Sequence, residues 1–286
     1  MQDILIRIYR ASASLFAGTG ISEVFPFTII NRAFLRAVRS DMARVDGHVM
    51  HLDRHDSLNL SVFGQFEPLE NETIRARVKP GHVVVDIGAN IGYYTLIMAQ
   101  KAGAAGRVFA FEPDPANCAI LRQNVEENGY KNVTVVQAAV ADRTGKARLY
   151  LSASDQVDHR LYGSGKSRES VEVDCYRLDD YFGDTNTHVD FIKMDIQGAE
   201  GAAAAGMRGL LARSENAVVI TEFWPFGLKS FGTDPGEYLA ALQKLGFTLS
   251  ELNETEGRLL PADPADLLKR FVYEKENFTN LLCERA

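Results

Sequence analysis

The stretch Val83-Val84-Val85-Asp86-Ile87-Gly88-Ala89-Asn90-Ile91-Gly92-Tyr93-Tyr94-Thr95 decides the fold of this chain. A β-branched apolar run ends at Asp86, and a loop with Gly88 and Gly92 then opens an amphipathic helix. Short apolar runs bounded by glycines are typical of buried parallel strands. In an open α/β sheet, ligands bind at the carboxyl ends of such strands, where glycines let the ligand approach the backbone. The stretch therefore predicts a ligand-binding loop after the first strand of a parallel sheet.

The glycine spacing in this loop distinguishes between two classes of ligand. A dinucleotide fingerprint has the pattern G-x-G-x-x-G, but the positions that it requires after Gly88 hold Asn90 and Tyr93. A pyrophosphate needs several free backbone N–H groups, and a neighbouring carboxylate such as Asp86 would repel it. The same carboxylate attracts a cationic sulfonium that carries an amino group. The loop therefore favours S-adenosylmethionine (SAM) over a nicotinamide dinucleotide.

A second string, Phe191-Ile192-Lys193-Met194-Asp195-Ile196-Gln197-Gly198-Ala199-Glu200, follows a later predicted strand. Together the two strings resemble the class I SAM-dependent methyltransferases of the FkbM-like kind, with Gln197 where an acid is more usual. The resemblance covers residues 47–283. It implies a Rossmann-like α/β fold with a seven-stranded, mostly parallel sheet flanked by helices, and a reaction that converts SAM into S-adenosylhomocysteine (SAH).

The order of the predicted elements gives two parts, an N-terminal extension at residues 1–80 and a methyltransferase domain at residues 81–286. The extension is predicted to be helical to Val45, with a hairpin around residues 47–53. In the domain, strands alternate with helices as in βαβ units, and a β insertion follows the third strand. The predicted domain strands are 82–87, 107–111, 133–137, 189–194, 217–223, 247–252 and 278–283; the insertion strands are 146–152 and 170–175; the helices are 92–102, 113–128, 199–205, 235–245 and 264–275.

The composition of the chain argues against several classes of binding partner. The formal net charge of −7 gives a nucleic acid little long-range attraction, so none is expected. Three widely spaced cysteines indicate neither a disulfide framework nor a zinc site. No apolar run is long enough for an integral membrane segment, and a cytoplasmic protein is expected. The segment at residues 1–18 is predicted to form a helix packed on the domain or on a second subunit of a homodimer, with peripheral membrane contact as the alternative.

The residues predicted to bind the cofactor lie at three strand ends. Glu112 follows the second strand, where an acid accepts hydrogen bonds from both ribose hydroxyls of a nucleoside; a carboxylate at a helix N-terminus is the alternative interpretation. Asp142 follows the third strand. The resemblance implies that it borders the adenine ring of SAM; the alternative is that it only forms a turn. The predicted cofactor-binding set is Asp86, Gly88, Asn90, Gly92, Glu112, Asp142 and Asp195.

The residues predicted to act on the methyl acceptor lie at the next strand ends and in the insertion. Asp195 and Glu222 end neighbouring strands, and His159 has an unperturbed pKa suited to accepting a proton at neutral pH. These three are the predicted catalytic residues. Two carboxylates are hard ligands that suit Mg²⁺, but no third ligand is evident, so a metal is not favoured. The predicted substrate-binding set is Asp158, His159, Arg160 and Trp224.

These residues and the resemblance together predict an O-methyltransferase for a hydroxyl of a sugar-containing or polyketide-like small molecule. Three alternatives stay open at this stage. A catalytically degenerate SAM-binding protein with a regulatory or scaffold role would lack a competent acceptor site. A nicotinamide-dependent oxidoreductase would need the dinucleotide glycines. A membrane-associated glycolipid methyltransferase would differ in its partner.

Overall fold

The computed structural model describes residues 40–152, 159–163, 169–183, 187–274 and 277–285. The chain divides into two compact units, Met1–Phe66 and Glu67–Ala286. The predicted helix at residues 1–18 lies outside the described residues. The predicted domain boundary at residue 80 stays a prediction.

The described part of the first unit contains a β-hairpin and one short helix. Strands β1 (Met42–Val45) and β2 (His48–His51) pair antiparallel and are followed by helix α1 (Leu60–Phe63). Asp46 and Gly47 between the strands both have positive φ, 51° and 86°, which matches the tight turn of a two-residue hairpin. The predicted hairpin is confirmed, but the predicted helix up to Val45 is wrong over β1, because this turn pairs these residues with β2.

The second unit is built on one large sheet with helices around it. Its five parallel strands and the antiparallel strands beside them contain all seven predicted strands, and an eighth strand extends one edge. The mostly parallel α/β fold is therefore confirmed. In chain order its elements are α2 (Pro68–Arg77), β3 (Val83–Ile87), α3 (Tyr93–Ala102), β4 (Arg107–Phe111), α4 (Pro115–Glu127), β5 (Val133–Val136), β6 (Ala139–Val140), β7 (Gly145–Tyr150), β8 (Ser170–Tyr176), α5 (Leu178–Phe182), β9 (Phe191–Met194), α6 (Glu200–Gly206), α7 (Arg208–Arg213), β10 (Val218–Phe223), α8 (Pro225–Phe231), α9 (Pro235–Lys244), β11 (Phe247–Asn253), β12 (Arg258–Pro261), α10 (Pro264–Arg270) and β13 (Thr279–Arg285).

The strand order of the large sheet is β12-β11-β13-β10-β9-β3-β4-β5. From β3 the chain proceeds outward through β4 and β5, and it then returns to the other side of β3 as β9 and β10. The order therefore reverses between β3 and β9, and the crevice at the carboxyl ends of these two strands is where open α/β sheets bind ligands. The two sequence strings identified above, at residues 83–95 and 191–200, begin with these two strands.

The predicted insertion is a separate three-stranded sheet with the order β6-β8-β7. Its strands β7 and β8 pair antiparallel from Gly145–Cys175 to Tyr150–Ser170, as predicted for two strands without a helix between them. One predicted helix is shorter than expected, since α10 ends at Arg270 and not at residue 275. None of the helices that the structure describes is both long and apolar enough to cross a bilayer.

Candidate functional site

The glycine loop between β3 and α3 passes across the end of β4. The backbone N–H groups of Gly88 and Ala89 both donate to the carbonyl of Phe111, at 3.0 and 2.9 Å. Gly88 has a φ of 83°, and a Cβ there would overlap the backbone oxygen of Asp195 at the end of β9. Gly92 has a φ of 96°, and its Cβ would come within 2.5 Å of Leu121 Cδ1. Both glycines are therefore required by backbone conformation and by close packing.

Glu112 lies directly beside this loop, at the end of β4. Its Oε2 accepts a 2.8 Å hydrogen bond from the backbone N–H of Asn90, and its Oε1 accepts one of 2.8 Å from Asp114. Each carboxylate oxygen keeps a further lone pair, so the group can still accept hydrogen bonds from two hydroxyl groups. Burial raises the pKa of Glu112 to about 8, and the two backbone hydrogen bonds limit the rise.

Asp86 lies in β3 under the loop and is buried. Its Oδ2 accepts a 2.5 Å hydrogen bond from the hydroxyl of Thr95, whereas its Oδ1 has no hydrogen-bond partner among the described residues. Burial raises the pKa of Asp86, and the positive charge of Lys193 opposes that rise. A buried carboxylate oxygen without a donor, next to a glycine loop, suits the cationic amino acid part of SAM.

Asp195 is the accessible carboxylate at the end of β9, with 35% of its side chain exposed. Its Oδ2 lies 3.4 Å from Lys193 Nζ, and its Oδ1 accepts a 3.1 Å hydrogen bond from Gln197 Nε2. Burial alone would lower the pKa of Lys193, but the carboxylates of Asp195, Glu70 and Asp86 raise it above its usual value. Lys193 therefore stays charged beside Asp195.

Glu200, the first residue of α6, supports the loop after β9. Its Oε1 accepts hydrogen bonds from the backbone N–H groups of Ile196 and Gly198, at 2.9 and 3.2 Å. Burial raises its pKa to about 7. Glu200 thus fixes the backbone that carries Asp195 and Gln197.

Glu222 ends β10, next to β9, and is buried. In the parallel register Thr221 pairs with Met194, so Glu222 and Asp195 are adjacent at the sheet edge, as predicted. Burial raises the pKa of Glu222 well above its usual value, and the negative charges of Asp195 and Glu200 raise it further.

Sequence reasoning missed two further acids that lie beside these residues. Glu70 in α2 has its Oε1 3.9 Å from Lys193 Nζ, and Glu67 accepts a 2.8 Å hydrogen bond from the hydroxyl of Tyr94. The amide nitrogen of Asn280 in β13 donates to both, at 3.2 Å to Glu67 and 2.6 Å to Glu70. The sequence signal for them was the pair Glu67 and Glu70, three residues apart around Pro68, where a helix begins before the first strand of the sheet.

Of the predicted insertion residues, Asp158 lies outside the described residues, and His159 lies beside Asp114 at the start of α4. His159 Nε2 lies 3.9 Å from Oδ2 of Asp114, the residue that caps the N-terminus of α4. His159 Nδ1 accepts a 3.0 Å hydrogen bond from the backbone N–H of Ser152. The same Asp114 donates its backbone N–H to Glu112, so His159 is connected to the loop side of the crevice.

Arg160 and Trp224 are buried against each other. The guanidinium carbon lies 4.7 Å from the centroid of the Trp224 ring, and Nη1 donates a 3.0 Å hydrogen bond to the hydroxyl of Tyr162. Asp142, in contrast, is exposed after β6, with its carboxylate 3.7 Å from Arg143. Among the described residues, no group of three or more His, Cys, Asp or Glu side chains is arranged to hold a metal ion.

Comparison with known proteins gives consistent matches. The sequence profile of the methyltransferase FkbM domain matches residues 86–249, more than half of the chain. The 2-O-methyltransferase NoeI of Sinorhizobium fredii is 29% identical over 161 residues, which cover 51% of this chain and 64% of NoeI. The 31-O-demethyl-FK506 methyltransferase FkbM of Streptomyces tacrolimicus is 27% identical over 160 residues, 46% of this chain and 61% of that protein.

The chain thus spans a little under two thirds of the length of these curated relatives. A TehB-like SAM-dependent methyltransferase structure from Corynebacterium glutamicum aligns with a TM-score of 0.43 at 14% identity, over 80% of this chain and 93% of that one.

Proposed function

Since the chain belongs to the methyltransferase FkbM domain family, we propose that it transfers a methyl group from SAM to a hydroxyl of a small molecule. The observation that carries the proposal is the crevice between β3 and β9, where the glycine loop lies between Glu112 and Asp195. The order of these groups along the sheet edge supports a nucleoside on the β4 side and an acceptor on the β9 and β10 side.

The cofactor side is formed by Glu112 and the loop of Gly88, Asn90 and Gly92. Glu112 is held by the Asn90 and Asp114 backbone N–H groups with lone pairs to spare for two ribose hydroxyls. Asp86 provides a buried acceptor oxygen for an ammonium group. When bound here, SAM supplies an electrophilic methyl group. Asp142 is exposed after β6, and we propose that it contacts the adenine from there.

The acceptor side is formed by Asp195 and Glu222. A neutral hydroxyl is a weak nucleophile, so removing its proton during attack assists the transfer. Asp195 is the more exposed of the two carboxylates and lies 3.4 Å from the Lys193 ammonium, which suits it to orient the acceptor hydroxyl and accept its proton as the new oxygen–carbon bond forms. His159 Nδ1 already accepts the Ser152 N–H, which favours Asp195 over His159 in this role.

The acceptor is proposed to be a sugar-containing or polyketide-like molecule. Two relatives are named as methyltransferases for an oxygen, one as a 2-O-methyltransferase and one for 31-O-demethyl-FK506. Arg160 and Trp224 are stacked on each other, so we propose that they shape the wall beside Glu222 and do not form a free aromatic face for the acceptor.

The first test is calorimetric titration of the full chain with SAM, SAH and NAD. SAM and SAH are expected to bind and NAD is not; binding of NAD alone, or of none of the three, would contradict the proposal. The second test screens hydroxylated saccharides and polyketides for SAH formation, with Asp195→Asn as the matched variant. Loss of turnover with retained SAM affinity supports the proposed acceptor role of Asp195. SAM binding without SAH formation from any acceptor would favour the regulatory or scaffold alternative.

A further inference from the structure

Four carboxylates surround one buried lysine at the acceptor side of the crevice. We call the group of Glu67, Glu70, Asp195 and Glu222 around Lys193 the acidic pocket. Lys193 Nζ lies 3.4 Å from Asp195 Oδ2 and 3.9 Å from Glu70 Oε1. It also lies 4.6 Å from the ring centroid of Tyr94, whose hydroxyl donates to Glu67.

The strand register places the sheet-borne members of the pocket on one face. Asp86 pairs with Lys193, Lys193 pairs with Ile220, and Glu222 lies two residues beyond Ile220 and pairs with Asn280. Residues that are paired, or two apart on a strand, share a face of the sheet. Because the Asn280 amide reaches Glu67 and Glu70, Glu222 points toward the same space as those two acids.

The pocket carries more carboxylates than its lysine can balance. Among the described residues, no hydrogen-bond donor reaches Glu222 Oε2 or Glu70 Oε1, although both atoms are buried. Glu222 is 5% exposed and Glu70 1% exposed, so bulk solvent does not reach these oxygens. Buried carboxylate oxygens that receive no hydrogen bond indicate either bound protons or an unmatched negative charge that a cation can balance.

The raised pKa values of Glu67 and Glu70 agree with this excess of carboxylates over positive charge. Burial raises the pKa of Glu67 to about 7, with the charge of Lys193 opposing the rise and that of Asp195 adding to it. Burial and the charge of Glu67 raise the pKa of Glu70 well above its usual value. Near neutral pH the pocket therefore holds protons that it can release. The other charged or titratable groups that face it are Asp86, Tyr94, Glu200 and Glu254.

Glu67, like Asp195, is a member of the acidic pocket that a ligand can reach. It is only partly buried, and it precedes α2 with a left-handed backbone, φ 42° and ψ 74°. A non-glycine residue in this region is strained, and such strain is concentrated at functional sites. Hydrogen bonds from Tyr94 and Asn280 orient the Glu67 carboxylate, and the charge of Lys193 acts on it.

We propose that the acidic pocket, through Glu67, binds the positive charge of the methyl donor in exchange for a proton, and thereby distinguishes SAM from SAH. This inference rests on the proposed function, because it assigns the role of that cation to the sulfonium. Methyl transfer to a hydroxyl turns the cationic donor into a neutral thioether and frees the acceptor proton. The pocket can take up that proton as the cation disappears, so the charge of the site is conserved. SAH then lacks the charge that the pocket binds, and its affinity falls.

The test is calorimetric titration of the full chain at pH 7 with SAM and with SAH, each in two buffers of different ionisation enthalpy, which yields the number of protons released. Ionisation of Glu112 by the ribose is common to both ligands, so the difference between them isolates the sulfonium. SAM is expected to release more protons than SAH. Glu67→Gln is expected to weaken SAM binding about tenfold, as for one partly buried charge pair, with SAH affinity little changed.

The matched control is Glu72→Gln, which removes the same charge from an exposed position on the same helix and is expected to change neither affinity. Glu222→Gln probes the pocket a second time if Glu67→Gln fails to fold. Equal proton release by SAM and SAH, or equal weakening of both in Glu67→Gln, would overturn the inference while the proposed function stands. Failure of the unaltered chain to bind either ligand would overturn the proposed function itself.

Discussion

The Oε2 atom of Glu112 lies 2.8 Å from the backbone nitrogen of Asn90, so the acid at the end of β4 is tied to the glycine loop that follows β3. Asn90 has a positive φ of 51°, and its side-chain Oδ1 accepts a hydrogen bond from Ile91 N. This conformation directs the Asn90 N–H toward Glu112. One carboxylate therefore orders the loop and remains able to accept further hydrogen bonds.

Replacement of Glu112 is expected to weaken cofactor binding. Hydrogen bonds to a charged group contribute about 1.5 to 3 kcal/mol, so Glu112→Ala should reduce SAM affinity about 10- to 100-fold. Calorimetry with SAM measures the change, and thermal unfolding confirms that the variant folds. Glu126→Gln, at an exposed position on α4, is the control. Unchanged affinity in Glu112→Ala would show that the ribose does not bind there.

The affinity for SAH is expected to rise with pH. Burial raises the pKa of Glu112 to about 8, so much of the carboxyl group is protonated at pH 6, and a neutral acid accepts hydroxyl protons less well than a carboxylate. Binding should tighten up to about pH 8 and then level off. SAH suits this titration because it lacks the sulfonium charge. Glu112→Gln should flatten the profile; an equally steep profile in that variant would assign the proton to another group.

The sequence predicted seven of the eight strands of the large sheet, because most of them are short runs rich in apolar residues between turn residues. It missed β12, which pairs with β11 alone at the sheet edge and has largely exposed residues without alternation. It also missed α5, α7 and α8, which have five to seven residues each, too few for a helical period to be recognised.

The candidate site was predictable where its residues lie in one continuous string. Asp86, Gly88 and Asp195 belong to such strings, and Glu112 directly follows a predicted strand. The acidic pocket was not predictable, because Glu67 and Asn280 are 213 positions apart and meet only through the antiparallel pairing of β13 with β10. The stacking of Arg160 on Trp224 was also hidden, since it joins the insertion to the end of β10.

Gly88→Ala is expected to destabilise the fold by more than the backbone conformation alone explains. The positive φ costs about 1 to 2 kcal/mol, and overlap of the new Cβ with the Asp195 backbone oxygen adds to it, for a total of about 3 kcal/mol or more. Gly129→Ala is the control, since Gly129 also has a positive φ of 71° but nothing within 4 Å of a Cβ. Urea unfolding compares the two. Equal losses would mean that the β3–β9 contact does not require glycine.

Glu200→Gln is expected to reduce the pH dependence of stability. The pKa of Glu200 rises from 4.5 in the unfolded chain to about 7 in the fold. Its contribution to the free energy of unfolding is therefore fully present below about pH 4.5 and is lost as the pH rises through 7. Over that window the loss is on the order of 2 to 3 kcal/mol. Glutamine still accepts the Ile196 and Gly198 hydrogen bonds but does not titrate.

Unfolding free energies measured from pH 4.5 to 7.5 test this slope. The variant should show a shallower decline than the unaltered chain, whatever its absolute stability. Glu237→Gln, at an exposed position in α9, should keep the original slope. Parallel curves for Glu200→Gln and the unaltered chain would mean that Glu200 is already ionised at low pH.

Arg160→Ala is expected to expose the one tryptophan of the chain. Trp224 is 3% exposed and Arg160 also 3%, and their desolvated cation–π contact is worth about 2 kcal/mol. The hydrogen bond to Tyr162 adds about 1 kcal/mol. Removing the guanidinium should therefore shift the Trp224 fluorescence to longer wavelength and lower the unfolding free energy by about 3 kcal/mol. Arg160→Lys should have an intermediate effect, because it keeps the charge but loses the planar stacking. Arg148→Ala, at an exposed position on β7, should leave both readouts unchanged; if Arg160→Ala did the same, the stacked pair would not hold the insertion against the end of β10.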